Sequence, residues 1–340
     1  MKKIFCLFFA FVIVLLCGVN VFAASSKRII GASIPNATSY ELYLLKNGVY
    51  TLMQISSSIN FDLLSLDLDP GDHQFVVRAT APGFAPSSYS NVVTYSVSAG
   101  EAFAVYSETD NSLTFYKNND TVTAGSTYKG KAATAVYTGI ETFDSGAVGA
   151  APWEAYCEDI ESVVFVDKIS PISTAYWFCE FRVCSEIDVS KLDVSKVTDM
   201  TQMFQLFADY VTGNVKITGH ENWDTSKVIN MYFSFRNIGR DALSVDLGDF
   251  SYWNTSNVTS MRYMFAYTAE NSSSVKISGL ENWDTSKVID MSRMFRCFGL
   301  NSSYYLDLSG WDVSNVDTAN NGAKNFNDQV ESKVIAPAFK

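Results

Sequence analysis

Histidine is almost absent from this sequence, with two in 340 residues, His73 and His220. Neither lies near a pair of cysteines, so no zinc-binding pattern is present. No Gly-x-Ser-x-Gly turn and no phosphate-binding glycine loop occur. The sequence therefore predicts a protein that is not an enzyme and that uses no metal and no other cofactor.

Basic residues are also few. The chain has 25 Lys and Arg against 36 Asp and Glu, a formal net charge of -11. An acidic surface is repelled by nucleic acid and by anionic lipid head groups. We therefore expect no nucleic-acid partner.

Only one long apolar run occurs, and it lies at the N-terminus. Lys2 and Lys3 precede the apolar residues 4–16, and 21–23 offer residues tolerated before a cleavage point. This pattern predicts a signal peptide over 1–23, a secreted or extracellular protein that is either released or associated with the cell surface, and no transmembrane segment in the mature chain.

Four cysteines remain after the predicted cleavage: Cys157, Cys179, Cys184 and Cys297. Cys179 and Cys184 are close enough in sequence to form a bridge. However, Cys179 follows Trp177 and Phe178, and Cys297 also lies beside core-type residues, which favours buried free thiols. Both interpretations stay open at this point.

Residues 24–98 have the pattern of a small all-β sandwich. Asn47 and Gly48 form a hairpin-turn signal, and apolar residues alternate over 73–79. With 36–43 and the Tyr-Ser-Asn at 89–91, this region resembles a bacterial fibronectin type III domain. It departs from that family in a short first strand and in a histidine near a usual tyrosine position.

An internal repeat dominates the second half of the chain. The corner Trp-Asp-Thr-Ser-Lys-Val at 223–228 recurs, with changes, at 253–258, 283–288 and 311–316, and 192–197 starts the series without a tryptophan. Residues 101–190 form a connecting unit that leads into these repeats and caps them. The repeats cover 191–322, and 323–340 is a C-terminal tail.

Each corner is followed by apolar residues at helical spacing and then by a short strand. Val258, Met261, Met264 and Phe265 would lie on one face of a helix. A strand–helix unit of about 30 residues cannot bury its own apolar face and must stack on its neighbours. The sequence therefore predicts a mixed α/β fold, a leucine-rich-repeat-like solenoid of short parallel strands and helices, preceded by the sandwich.

The pattern Trp-Asp-Thr-Ser-x-Val-x-x-Met-x-x-Met-Phe resembles the BspA-type leucine-rich-repeat surface proteins of bacteria. The resemblance extends over 101–322 and includes Pro152-Trp153 and 174–178. It implies adhesion, that is, binding of host or neighbouring-cell surface proteins, and it carries over no catalytic residue. The alternative is a carbohydrate-binding accessory module that uses exposed aromatic residues.

Two sets of repeat residues have structural interpretations. The corner tryptophans, Trp223, Trp253, Trp283 and Trp311, are predicted to form a buried column rather than a sugar-binding ladder, because their strict period places each at the same corner of every coil. The corner residues Asp193, Asp224, Asn254, Asp284 and Asp312 are predicted to cap turns, since the spacing of calcium loops is absent.

Two further predictions concern the surface of the solenoid. Asp188, Lys216, Asp246, Lys276 and Asp307 should form a ladder of alternating charge along the sheet. The variable loops between repeats, 207–214, 237–244, 267–274 and 298–305, should form one partner-binding edge. The aromatic residues predicted to bind the partner there are Tyr210, Tyr267, Tyr304 and Tyr305.

Overall fold

The computed structural model describes residues 21–24, 28–66, 68, 71–97 and 100–340. The chain forms two compact units, one ending at Ala99 and one beginning at Gly100. The predicted signal peptide lies outside the described residues except for its last three, which belong to the first strand. Within the described residues, no helix has the length and apolar character needed to cross a bilayer.

The described part of the first unit contains seven strands. They are β1 (Val21–Ala24), β2 (Arg28–Gly31), β3 (Ser39–Lys46), β4 (Val49–Ser56), β5 (Asn60–Asp62), β6 (Gly71–Thr80) and β7 (Val93–Val97). One antiparallel sheet has the order β1-β2-β5 and the other the order β4-β3-β6-β7. Phe61 of the first sheet and Phe75 of the second belong to one buried cluster. Asn47 and Gly48 both have positive φ, and they form the predicted two-residue hairpin between β3 and β4.

The second unit begins with a four-stranded sheet in the order β12-β8-β9-β13. The elements of this region are β8 (Glu101–Ser107), β9 (Ser112–Asn118), β10 (Ser126–Tyr128), β11 (Lys131–Ala133), β12 (Ala135–Thr138), the one-turn helix α1 (Ser145–Val148) and β13 (Ser162–Phe165). Strand β13 runs parallel to β9, whereas β8 pairs antiparallel with both of its neighbours. The core of this sheet is continuous with that of the repeats.

The repeats stack as a β-solenoid. Their strands are β14 (Glu186–Asp188), β15 (Asn214–Thr218), β16 (Ser244–Asp249), β17 (Ser274–Ser278), β18 (Leu306–Asp307) and β19 (Val334–Ile335). Strands β14 to β17 form one parallel sheet in chain order, and β18 pairs in parallel with β19. Val215 and Ile217 point inward while Lys216 points outward, so each short strand buries alternate residues.

The predicted mixed α/β architecture is wrong, because the helices that should follow each corner do not form. Residues 191–322 contain no α-helix. The 3₁₀ turns among the described residues are Leu63–Ser65, Glu154–Tyr156, Leu280–Asn282 and Thr318–Asn320. Runs of consecutive turns occupy the places of the expected helices, and the second unit is therefore almost entirely β-sheet and turns.

These turn segments stack on one another, and together we call them the turn layer. It comprises residues 174–181, 200–207, 231–238, 261–268, 291–298 and 323–330. In each of the first five segments, four alternate backbone N–H groups donate to the next coil, the first to the residue just before the next segment and the other three to carbonyl oxygens within it. Intervening N–H groups donate three residues back in their own segment. Tyr263 N–H, for example, donates to Ser292 at 3.0 Å and Met264 N–H to Met261 at 3.1 Å. The solenoid is thus hydrogen-bonded between coils on this side as well as through its sheet.

The backbone of the turn layer enters the left-handed region at two positions per segment. The third residue has positive φ in all six segments, including Phe233 (61°), Tyr263 (56°) and Arg293 (58°). The seventh does so as well, including Leu206 (60°) and Tyr267 (61°). Bulky residues adopt this conformation at a cost, so the surrounding stack must impose it.

Burial explains why a helix and the turn layer have the same sequence pattern. In the fourth segment, Met264, Phe265 and Thr268 are buried, whereas Arg262 and Tyr263 between the buried positions are partly exposed. Pairs of buried residues thus recur in the turn layer with a period of four, and the positions between the pairs are partly exposed or hold buried residues such as Ala266. A helix has a period of 3.6 residues, and over two turns the two periods differ by less than one residue.

Aromatic rings run through the turn layer from coil to coil. Phe204 and Phe235 have ring centroids 5.2 Å apart, and Phe265 and Phe295 are 5.4 Å apart. The stack also extends beyond 191–322. Residues 174–181 donate hydrogen bonds to the second segment, and residues 323–330 accept them from the fifth.

Candidate functional site

The corner tryptophans form a closed column. Trp223, Trp253, Trp283 and Trp311 are all 5% exposed or less. Neighbouring indoles stack with centroids 5.8, 6.2 and 6.1 Å apart. Three of the Nε1–H groups donate to a backbone carbonyl of the preceding coil, for example Trp311 to Leu280 at 2.9 Å. The predicted burial is confirmed, and these rings are not available to a ligand.

The corner Asp and Asn residues cap turns, as predicted. Each accepts a hydrogen bond from the backbone N–H two residues later, at 2.9 to 3.1 Å, at all five corners. Hydrogen bonds from Ser226 lower the pKa of Asp224, and those from Ser286 lower the pKa of Asp284. The carboxylates thus satisfy the corner backbone. Among the described residues, no group of three or more His, Cys, Asp or Glu side chains is arranged to hold a metal ion.

The structure does not gather the four predicted partner-binding tyrosines. Tyr210 and Tyr305 are 63% and 65% exposed. Tyr304 is partly buried, and its hydroxyl donates to the Phe298 carbonyl at 2.6 Å. Tyr267 lies in the turn layer between two arginines. Ring contacts among the described residues join no two of these four.

The variable loops are nevertheless joined to one another. Leu243 N–H donates to Gly213 at 2.8 Å, and Ser273 N–H donates to Leu243 at 3.2 Å. Asn271 Nδ2 donates to Asp241 Oδ1 at 2.6 Å. The loops therefore form one ordered edge, while their role in binding stays a prediction.

The charge ladder is correct only in its centre. Lys216, Asp246 and Lys276 are neighbours in register, and Lys276 Nζ lies 3.0 Å from Asp246 Oδ2. Ile187 pairs with Ile217, which places Glu186 rather than Asp188 opposite Lys216. Asp307 is outside the ladder because β18 pairs with β19 and not with β17.

A second surface of the solenoid, which the sequence did not single out, carries arginines and aromatic rings. We call it the arginine–aromatic face: Tyr232, Phe233, Arg236, Arg262, Tyr263, Tyr267, Arg293 and Arg296. It spans the third, fourth and fifth segments of the turn layer, and all eight side chains are partly exposed. Six of the eight arginines of the chain lie in the turn layer or within two residues of the end of one of its segments.

Guanidinium groups cover the rings of this face. The guanidinium carbons of Arg236, Arg262 and Arg293 lie 5.7, 5.5 and 5.2 Å from the centroid of Tyr263. Arg236 also lies 5.6 Å from Tyr267, and Arg296 lies 5.8 Å from it. Cation–π contacts of this kind hold arginines in place without neutralising them.

The arginines of this face have little compensation from acidic residues. Arg262 approaches Asp290 only to 3.7 Å, and Arg296 lies 3.3 Å from Asp328. Arg236 and Arg293 form no ion pair among the described residues, and their Nε atoms, like that of Arg262, are shielded from solvent without a hydrogen-bond partner. The face is therefore locally positive in a chain whose net charge is -11.

The face ends in a cleft that we call the cationic cleft. Its lining includes Arg262, Arg293 and Lys324, with Asp290 as the one acidic residue. Asn320 and Asn321 supply amide groups to the same cleft. Three cations facing one carboxylate suit a ligand with negative charge.

Two kinds of titratable group lie in the interior. His220 is fully buried, its Nε2 lies 2.7 Å from the Leu247 carbonyl oxygen, and burial lowers its pKa. The four described cysteines are all free, so the bridge between Cys179 and Cys184 does not form. Burial raises the pKa of Cys157 to about 11 and that of Cys179 to about 12.

One protein family matches the repeats. It is described as "Mycoplasma protein of unknown function, DUF285", and it matches residues 173–277 and 240–336. The two overlapping matches cover the six segments of the turn layer. No curated protein and no solved structure matches the chain. The chain is thus similar, over its solenoid, to a family without an assigned function.

Proposed function

We propose that the chain is a secreted or surface-associated, non-catalytic binding protein that holds a partner protein through its solenoid. One observation carries the proposal: the arginine–aromatic face. Tyr and Arg are the residue types that dominate the binding energy of protein interfaces, together with Trp. None of the eight residues of the face is a lysine, a residue type that interfaces tend to exclude, and Lys324 lines the cleft at its end.

The scaffold supports the same proposal. Interfaces lose less free energy on binding when their side chains are already ordered. Here the backbone of each coil is bonded to the next, and the rings and guanidinium groups hold one another. Adhesion to a host or neighbouring-cell surface protein, implied by the resemblance to BspA-type surface proteins, is the form of binding that we propose, although the helices of that resemblance do not form.

The burial of the tryptophan column removes the main support for the carbohydrate-binding alternative. Sugar-binding sites use open ring faces, and the indoles have none. Guanidinium groups also cover Tyr263 and Tyr267. We therefore favour a protein partner.

The test is binding of the full chain to a panel of purified extracellular-matrix and cell-surface proteins, measured by biolayer interferometry. We expect saturable binding to at least one protein, with weaker binding after Tyr263→Ala and Arg236→Ala are combined. Circular dichroism should show that this variant is folded. Binding to none of the panel, or a preference for glycan-coated surfaces without protein, would contradict the proposal.

A further inference from the structure

We infer that the arginine–aromatic face and the cationic cleft bind an acidic polypeptide segment, with carboxylates of the partner on Arg262 and Arg293. This inference rests on the proposed function and names the class of partner. The two arginines come from neighbouring coils, and Arg293 has no acidic partner among the described residues. Their Nε atoms are shielded, so the outer nitrogens of each guanidinium are the groups that a ligand can reach.

Guanidinium chemistry favours a carboxylate. Arginine binds carboxylates through two parallel hydrogen bonds, and its weak hydration makes it suited to interfaces. Contacts with the Tyr263 ring, at 5.5 and 5.2 Å from its centroid, hold the guanidinium groups of Arg262 and Arg293 in place beforehand. Asp290 offsets only part of the charge of Arg262, Arg293 and Lys324.

The dimensions of the face suit an extended chain. Stacked strands and coils are about 4.8 Å apart, so the third to fifth segments span about 10 Å. An extended polypeptide covers that distance with about three residues. Acidic residues on one side of such a segment would meet arginines of successive coils.

Other anionic macromolecules fit less well. Nucleic acid carries dense charge and would be repelled by a chain of net charge -11. An acidic glycan would use ring faces for stacking, and those of Tyr263 are already covered on this surface. An acidic peptide needs only the guanidinium groups and the edges of the rings.

The experiment uses fluorescence anisotropy of a fluorescein-labelled peptide of alternating glutamate and serine, added to the full chain. We expect saturable binding that weakens by about 10-fold or more between about 50 and about 200 mM NaCl. The double variant Arg262→Ala/Arg293→Ala should lose at least about 30-fold in affinity. The variant Arg262→Lys/Arg293→Lys keeps the charge but not the planar groups. Its affinity for the peptide should lie between that of the wild-type chain and that of the double alanine variant.

Arg240→Ala is the matched control. Arg240 is exposed, pairs with its neighbour Asp241 and lies just outside the third segment, so we expect unchanged affinity. Equal affinity of the wild-type chain and the Arg262→Ala/Arg293→Ala variant for the peptide would overturn the inference. Tighter binding of a labelled oligouronate, or self-association by sedimentation that the same variant abolishes, would also overturn it, by making a glycan or a second copy the occupant.

The two proposals fail in different ways. If Arg262→Ala/Arg293→Ala binds a protein of the surface panel as tightly as the wild-type chain does, the inference of an acidic segment is wrong and the proposed binding function stands. If the full chain binds neither the panel nor the peptide, both proposals are wrong.

Discussion

The tryptophan corner and the turn layer are built from the same coils, yet they use repetition differently. At the corner, Trp253, Trp283 and Trp311 repeat without change, are closed to solvent and donate to equivalent carbonyls. In the turn layer the backbone repeats, but the exposed positions carry Gln202 in one coil and Tyr263 in another. Constant side chains thus hold the stack together, and a constant backbone leaves the surface free to vary.

The largest effect should come from breaking the corner. Trp283→Ala removes contacts with two indoles and the hydrogen bond to the Phe250 carbonyl. We expect the free energy of unfolding to fall by about 3–5 kcal/mol. Urea unfolding followed by tryptophan fluorescence measures it, because all six tryptophans lie in the second unit. Arg293→Ala in the turn layer is the control, with less than about 1 kcal/mol expected. Similar losses in both would contradict the contrast.

The backbone directly after each segment of the turn layer should be the next most sensitive feature. Gly239 has φ of 48°, and an added Cβ would lie 2.9 Å from Val245 Cγ2. Equivalent positions hold Ala208 and Ala269, also with positive φ. We expect Gly239→Val to cost about 2–3 kcal/mol and Gly239→Ala about 1 kcal/mol. Equal costs, measured by the same urea unfolding, would show that the left-handed backbone is not imposed at this position.

A smaller effect concerns pH. Burial holds the folded pKa of His220 below its ordinary value of 6.5, so the neutral ring is favoured in the folded chain. Stability is therefore present above about pH 6.5 and falls below it, by up to about 1.4 kcal/mol per pH unit. His220→Phe, which copies Phe250 of the next coil, should remove this contribution to the slope. Unfolding in urea at several pH values between about 5 and 7.5 tests it, and an unchanged slope would contradict it.

The smallest effect is expected on the loop edge. Tyr210→Ser and Tyr305→Ser should each change stability by less than about 0.5 kcal/mol, because both rings are exposed. Tyr304→Ser should cost more, since the Tyr304 ring is partly buried against Phe298 and its hydroxyl donates to the Phe298 carbonyl. Thermal unfolding compares the three. Weaker partner binding by the first two variants would place the partner on the loops rather than on the arginine–aromatic face.

The sequence was sufficient to predict the structure of the tryptophan corner and insufficient to predict that of the turn layer. Trp253 and Asp284 belong to a motif that recurs at fixed spacing. Residues at the same corner of every coil must stack on their equivalents in the neighbouring coils. The spacing of Met261, Met264 and Phe265 fits both a helix and a period of four. The pattern of apolar residues alone therefore could not distinguish a helix from the turn layer. The alternation of Gly and Ala at 208, 239, 269 and 299 was the available signal, because small residues suit a tight left-handed position.

The candidate site was harder to predict than the core. Arg262 and Arg293 are the second and third residues of their segments, whereas Arg236 and Arg296 share the sixth position, so no motif that recurs in every coil marks the four arginines. Only the register between coils places Arg262 and Arg293 around Tyr263. The predicted tyrosines were chosen from loop sequences, and Tyr267 reached the face for a different reason, as the seventh residue of its segment.

Because backbone N–H groups of the turn layer donate alternately to the next coil, the number of coils, and with it the length of the solenoid, can change. Each segment offers a row of donors to one neighbour and a row of acceptors to the other, and these rows are alike from coil to coil. Removing one coil of about 30 residues would leave two rows that still match, and inserting one would extend the molecule by about 4.8 Å. The coils are thus equivalent structural units, and adding or removing coils would shift binding residues along the solenoid by whole coil heights without changing the fold.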